Sequence, residues 1–419
     1  MRPALEVADI FRRHGAAYRS AHGAHMGRVE RRIMGAIEAC RTAVLGGHVE
    51  ACDNCAHGRV AYNSCRNRHC PKCQGLARAE WLADRQADLL DVPYFHVVFT
   101  MPAEVAAIAF HNKALVYAML FRAAAETLRT IAADPRHLGA EIGFIAILHT
   151  WGQTLTHHPH LHCVVRGGGL APARCDEDDE RWIACRPNFF LPIHVLSRLY
   201  RRLFLEQLRA AFDTGQLCFF GDPAPLARRP DFTRQIKRLR KINWVVYAKP
   251  PFGSPEQVLA YLSRYTHRVA ITNSRLVAMD ETRVRFRWRD NRQHNKAKAM
   301  TLDAHEFIRR FLLHGLPDGF HRIRHYGFLA NRHRVAKLAL IRGLLDQPTP
   351  PKARGNADYR RRLRDLAGID LDRCPRCGGA MRVIGILPRP RAPPSRPFSR
   401  DRPRASDANQ QPIAWTPRR

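Results

Sequence analysis

The chain has 419 residues, 45% of them hydrophobic, which is enough for a buried core and two or three domains. Lysine and arginine number 69 against 37 aspartate and glutamate, and the resulting formal charge of +32 points to a polyanionic partner, nucleic acid first. No apolar run reaches the roughly 18 residues of a membrane span, and the opening MRPALEVADIFRRHG lacks a signal-peptide core; a membrane partner is excluded, and the expectation is a cytoplasmic, nucleoid-associated bacterial protein.

Residues 1–45 read as a helical segment, with Ile33, Met34, Ile37 and Val44 at helical spacing. Residues 46–90 read as a zinc-binding domain. The 12 cysteines fall largely into Cys-x-x-Cys pairs, which in a reducing compartment argue for metal rather than disulfides. Cys52, Cys55, Cys70 and Cys73 are expected to close one tetrahedral structural zinc site, with Cys65, His57 and His69 available for ligand exchange or a second partial site. Arg59, Arg66, Arg68 and Lys72 add positive charge, so DNA binding is a second role beside the plainer one of stapling a small domain.

A helix-like stretch, 76–90, leads to the strand-like YFHVVFTM of 94–101. Residues 91–300 mix strands (143–151, 159–167, 243–248, 268–278, 282–288) with helices (104–131, 192–213, 254–266), an α+β pattern. Within it, FIAILHTW and HLHCVV read as a β-hairpin. Residues two apart in a strand share a face, so His160 and His162 point together. With a loop over 152–159, residue 151 pairs with 160 and His149 falls opposite His162, on the same face. Three imidazoles suit a divalent transition ion. Gln153 is a further candidate ligand; His157 and His158 are weaker ones.

In Ser254-Pro-Glu-Gln257, serine before proline with glutamine three residues later marks a helix start, and it places Tyr261 and Tyr265 one turn apart on one face beside Arg264 and Arg268. Such a pair packs a core more often than it meets a phosphate. Arg285, Arg287 and Arg289 alternate along a strand and would line one DNA-facing surface.

Residues 301–370 read as a basic helical region. Its segment 321–334 interleaves Arg322, Arg324 and Arg332 with Tyr326 and Phe328, a composition that either stacks single-stranded bases or buries its aromatics in a core. Cys374 and Cys377, within 371–385, form half a zinc knuckle that must borrow ligands or stand as a remnant, and the proline- and arginine-rich tail 386–419 reads as disordered. The acidic run 176–180 is a solvated loop rather than a two-metal carboxylate site.

Taken together, YNSCRNRHCPKCQ (62–74), HTWGQ with HPHLHCVV (149–165), INWVVYAKPPFG (242–253), YLSRYTHRVAI (261–271) and RHYGFLANRH (324–333) resemble the HUH endonucleases with tyrosine nucleophiles, in particular the two-tyrosine rolling-circle transposases of the insertion-sequence ninety-one family. The resemblance spans most of residues 45–335. It implies a central antiparallel sheet with flanking helices, the histidine pair on an inner strand and the tyrosine helix beneath.

The resemblance also implies that His160 and His162 hold magnesium or manganese at the scissile phosphate of single-stranded DNA. Tyr261 or Tyr265 attacks phosphorus, giving a 5′-phosphotyrosine and a free 3′-hydroxyl. Free tyrosine titrates near ~10, so positive charge from the metal, Arg264 or Arg268 would be needed to favour the phenolate. The phosphotyrosine conserves bond energy, so no nucleotide cofactor is expected, and no G-x-x-x-x-G-K-[ST] loop occurs. A replication initiator or relaxase would share this chemistry. A non-catalytic zinc-containing DNA-binding regulator would not depend on the histidines or tyrosines.

Overall fold

Near the N-terminus lie helices Val7–His22 and Arg28–Ala39, whose Ile10, Phe11, Ile33, Met34 and Ile37 share a core with the helix Ala304–Leu313. Strands β1 (Gly47–Cys52) and β2 (Gly58–Tyr62) pair as a hairpin, and helix Gln74–Gln86 leads to β3 (Tyr94–Thr100). The computed structural model describes residues 5–171, 180–188, 190–249, 252, 257–258, 269–290, 293–349, 360–361, 364, 368 and 370–390. Tyr261, Arg264, Tyr265 and Arg268 lie outside the described residues, as do 172–179 and 391–419.

The chain continues through β4 (Glu141–Trp151), β5 (His157–Ala171), β6 (Arg181–Ala184), β7 (Val246–Lys249), β8 (Leu276–Met279), β9 (Arg283–Asp290), β10 (Lys296–Asp303), β11 (Ile323–Gly327) and β12 (Met381–Leu387). The main sheet runs β11-β4-β5-β3-β7, with β6 added on β5, and its ladders are antiparallel. The fold is therefore mixed α/β with antiparallel sheets.

Strands β4 and β5 are apolar on both sides because both sides are covered. Phe144, Ala146, Leu148, Leu161, Cys163 and Val165 pack into the largest core, with residues of helices Ala103–His111, Lys113–Ala133 and Ile193–Asp213. Ile145, Ile147 and Val164 pack on the other side with Phe328, Leu338 and Val258. β8, β9 and β10 form a separate three-stranded sheet.

Three local expectations are corrected. The helix expected over 104–131 breaks at Asn112, whose side-chain amide donates to the carbonyls of Ile108 and Cys218 and accepts from the Cys218 amide, so it serves the loop instead of the helix. The region expected to be helical over 301–370 contains the tail of β10 and all of β11. β11 is an edge strand held by its ladder to β4 and by Tyr326 stacking on Phe144 at 5.0 Å. The hairpin loop is shorter than expected: Trp151 pairs with His157, and His149 faces His160 rather than His162. The slip is two residues, so which face each histidine occupies is unchanged.

No helix among the described residues is long and apolar enough to cross a membrane.

Candidate metal centre and nucleic-acid interface

His149 ends the apolar run of β4, and His160 and His162 open that of β5, so the three share the face that carries Ile145, Ile147 and Val164. Their ligating nitrogens all lie within 4.8 Å of one another. Ring centroids are 4.6 Å apart for His149 and His162, 4.8 Å for His160 and His162, and 5.6 Å for His149 and His160. Trp151 stacks on His149 at 4.7 Å and fixes that ring from the side.

Neighbouring acceptors set the tautomers. His160 Nδ1 lies 2.7 Å from the His158 carbonyl, which can only accept, so Nδ1 carries the proton and Nε2 the lone pair. His162 Nδ1 lies 2.8 Å from His96 Nε2, and the two rings are stacked within 8° of parallel. Burial, with Lys249 and His160 adding like charge, pushes His96 down to about 3. His96 is therefore neutral, and in the tautomer that carries its own proton on Nδ1 its Nε2 accepts the proton of His162 Nδ1. Sequence reasoning missed His96, although a lone histidine inside the apolar strand YFHVVFT was a signal. It also missed exposed Tyr247 and Lys249, which β7 pairs opposite Val98 and His96. Gln153 sits in the hairpin loop, where its carbonyl accepts from Arg275 at 2.5 Å.

The cysteines group differently from expectation. Cys52, Cys55, Cys70 and Cys73 do not converge. Cys70 and Cys73 meet Cys40 and Cys65, with Cys73 Sγ 3.5 Å from Cys40 Sγ and 3.6 Å from Cys65 Sγ. Cys52 and Cys55 meet Cys374 and Cys377 instead. The cause is topological: β1 lies between β2 and β12, and Cys52 pairs with Met381, which turns the first knuckle toward the C-terminal one. His57 and His69 belong to neither group. His69 is half-buried, its Nε2 accepting from the Leu316 amide at 3.5 Å, and loss of water together with Arg68 pushes it down to about 3.

The segment 321–334 is a core element more than a base-stacking stripe. Phe328 is fully buried, one face of Tyr326 is taken by Phe144, and Arg322 is buried, its pKa pushed down to about 10 by loss of water, so Arg322 is removed from the DNA-contacting set. Arg324 lies over Phe121 at 4.2 Å, and Arg332 is exposed. The clearer basic surface is β9, where Arg283, Arg285, Arg287 and Arg289 are exposed on one face while Val284 and Phe286 are buried on the other. The β10 neighbours of Arg289, Arg287 and Arg285 on that face, Ala297, Ala299 and Thr301, are small, so these three guanidinium groups stand clear, whereas Arg283 faces Asp303.

A family model described as "Transposase zinc-binding domain" matches residues 10–101, and one described as "Putative transposase" matches residues 143–337. The chain is similar to the Sinorhizobium fredii protein "Putative transposase y4qJ", 61% identical over 392 residues, 93% of this chain and 97% of the relative. It is also similar to the Pseudomonas savastanoi pv. phaseolicola "Transposase for insertion sequence element IS801", 30% identical over 352 residues, 82% of this chain and 80% of the relative. No solved structure matches.

Proposed function

The chain belongs to the insertion-sequence ninety-one family of two-tyrosine transposases, and we propose that it cuts and rejoins single DNA strands through a phosphotyrosine in an HUH-type nuclease domain. The observation that carries this reading is the convergence of His149, His160 and His162 on one sheet face. Val258, three residues before Tyr261, is buried in the cluster that lies on that same face with Ile145, Ile147 and Val164.

In this reading His149, His160 and His162 hold a divalent ion; an all-imidazole set favours a transition ion such as manganese over magnesium. When bound, the ion polarises the scissile phosphate. His96 and the His158 carbonyl keep the protons of His162 and His160 at Nδ1, so that lone pairs face the substrate side. Tyr261 or Tyr265 attacks phosphorus: the phenolic oxygen–phosphorus bond forms, the phosphorus–O3′ bond breaks, and the 3′-oxygen leaves as a hydroxyl. Attack by that or another 3′-hydroxyl on the phosphotyrosine restores a phosphodiester without a nucleotide. The β9 arginines, with Arg324 and Arg332, track the phosphate backbone without reading bases. The group Cys40, Cys65, Cys70 and Cys73 supplies the structural zinc of the N-terminal domain.

The test is a denaturing gel of protein incubated with manganese and a labelled single-stranded oligonucleotide carrying the element's end. A covalent adduct that requires metal, persists in Tyr261→Phe or Tyr265→Phe and disappears in the double variant is expected. Adduct formation by the double variant, or binding without adduct from any cognate strand, would refute the tyrosine mechanism and favour a non-catalytic DNA-binding protein.

A further inference from the structure

We infer that Cys52, Cys55, Cys374 and Cys377 form a second structural zinc site, distinct from that of Cys40, Cys65, Cys70 and Cys73, which fastens the C-terminal strand to the N-terminal domain. The zinc-binding family match ends at residue 101 and does not include Cys374 or Cys377.

The sulfur positions fit one ion. Cys52 Sγ is 3.4 Å from Cys377 Sγ, and Cys55 Sγ is 3.7 Å from Cys374 Sγ and 3.4 Å from Cys377 Sγ. A disulfide would bring a pair to about 2.05 Å. Four sulfurs around zinc at about 2.3 Å stand about 3.8 Å apart along each edge of the tetrahedron, which is close to the spacing seen.

The backbone supports the same assignment independently, because the two Cys-x-x-Cys segments fold alike. The Asn54 amide donates to Cys52 Sγ at 3.4 Å, and the Arg376 amide donates to Cys374 Sγ at 3.4 Å. Each turn closes onto its first cysteine carbonyl, from Ala56 N at 3.1 Å and from Gly378 N at 2.9 Å, through a left-handed residue (φ +54° at Ala56, +73° at Gly378). Each first cysteine amide then donates five residues on, to the carbonyls of His57 and Gly379. Amides aimed at sulfur stabilise thiolate charge, which a structural role for uncharged thiols would not need.

The knuckles also meet directly: Asp53 N donates to the Ala380 carbonyl at 3.0 Å, and Arg382 pairs with Asp53 at 2.6 Å. Beyond these polar contacts, the β1–β12 ladder and the pairing of Glu50 with Arg59 and Arg360, little apolar packing holds them among the described residues. The local buried cluster consists of Cys52, Cys374 and Met381, while Val383, Ile384 and Ile386 of β12 are exposed. A core of three residues cannot fold such a unit, whereas metal binding can.

The full-length chain, purified without chelator, is expected to carry two tightly held zinc ions by elemental analysis and native mass spectrometry. Cys374→Ser with Cys377→Ser should leave one, and Cys70→Ser with Cys73→Ser should also leave one. One zinc in the wild type, two in the Cys374/Cys377 variant, or iron in place of zinc would overturn the assignment. Should a variant fail to fold, thiol alkylation of the wild type decides the matter. Cys55 and Cys377, both at the surface, should resist alkylation until zinc is chelated, while exposed Cys218 reacts at once. Reaction of Cys55 and Cys377 at the rate of Cys218 with zinc present would refute the site.

Discussion

Replacing His96 with phenylalanine tests its contact with the histidine centre. The phenyl ring keeps the packing beside His162, where the two rings now lie 5.1 Å apart, and removes the ring nitrogen 2.8 Å from His162 Nδ1. Loss of an outer partner of a metal-binding histidine typically weakens metal affinity ten- to a hundredfold, about 1.4–2.7 kcal/mol. A separate route agrees: a buried donor stripped of its acceptor costs roughly 1–3 kcal/mol, and both His96 and His162 are buried. The half-saturating manganese concentration for adduct formation should therefore rise ten- to a hundredfold, with zinc content and circular dichroism unchanged and adduct yield recovering at high manganese. An unchanged half-saturation in a folded variant would show that His96 does not orient His162.

Changing Arg285, Arg287 and Arg289 together to alanine should weaken single-strand binding for every sequence alike and reduce the salt dependence of log affinity by about 2, from three lost phosphate contacts at roughly 0.7 each; a titration against potassium chloride measures it, and an unchanged slope would remove β9 from the interface. Gly327→Ala places a Cβ 1.7 Å from the Ile142 carbonyl at a φ of +61°, so urea denaturation should show a loss of at least ~2 kcal/mol. Burial depresses His157 and His325 to about 4 and His314 to about 3. With His69 and His96, also held at about 3, unfolding then takes up as many as five protons between the unfolded value near ~6.5 and those folded values, so stability is full above that window and falls as pH drops through it, by up to about 1.4 kcal/mol per pH unit for each proton. Urea midpoints at pH 7.0 and 4.5 test this, and a difference of less than one proton's worth would contradict it.

The histidine hairpin was legible because period-two alternation survives a register error: a slip of two residues changed the facing partner of His149 and left the shared face intact. The exposed arginines of β9 were legible for the same reason. Cysteine partnership was not. Cys-x-x-Cys spacing identifies a knuckle but not its mate, and the mate of Cys52 and Cys55 lies more than 300 residues away across the β1–β12 ladder. Cys40, alone at the end of a helix, carried no spacing signal at all. Arg322 and Phe328 misled because an interleaved basic and aromatic string has the same composition whether it meets DNA or fills the gap beside β4.

The tip of the histidine hairpin has one more consequence. Leu155, in a left-handed conformation at φ +62°, is buried among Phe286, Phe307 and Phe311. Arg275, Arg310 and His314 donate to the carbonyls of Gln153, Thr154 and Leu155 in turn. The hairpin is thus a beam clamped at both ends, one in the main sheet and one in the unit that carries the arginine face. Its three imidazoles have little room to drift before an ion arrives, and tension applied by a strand lying along β9 would reach them through a stiff lever rather than a hinge.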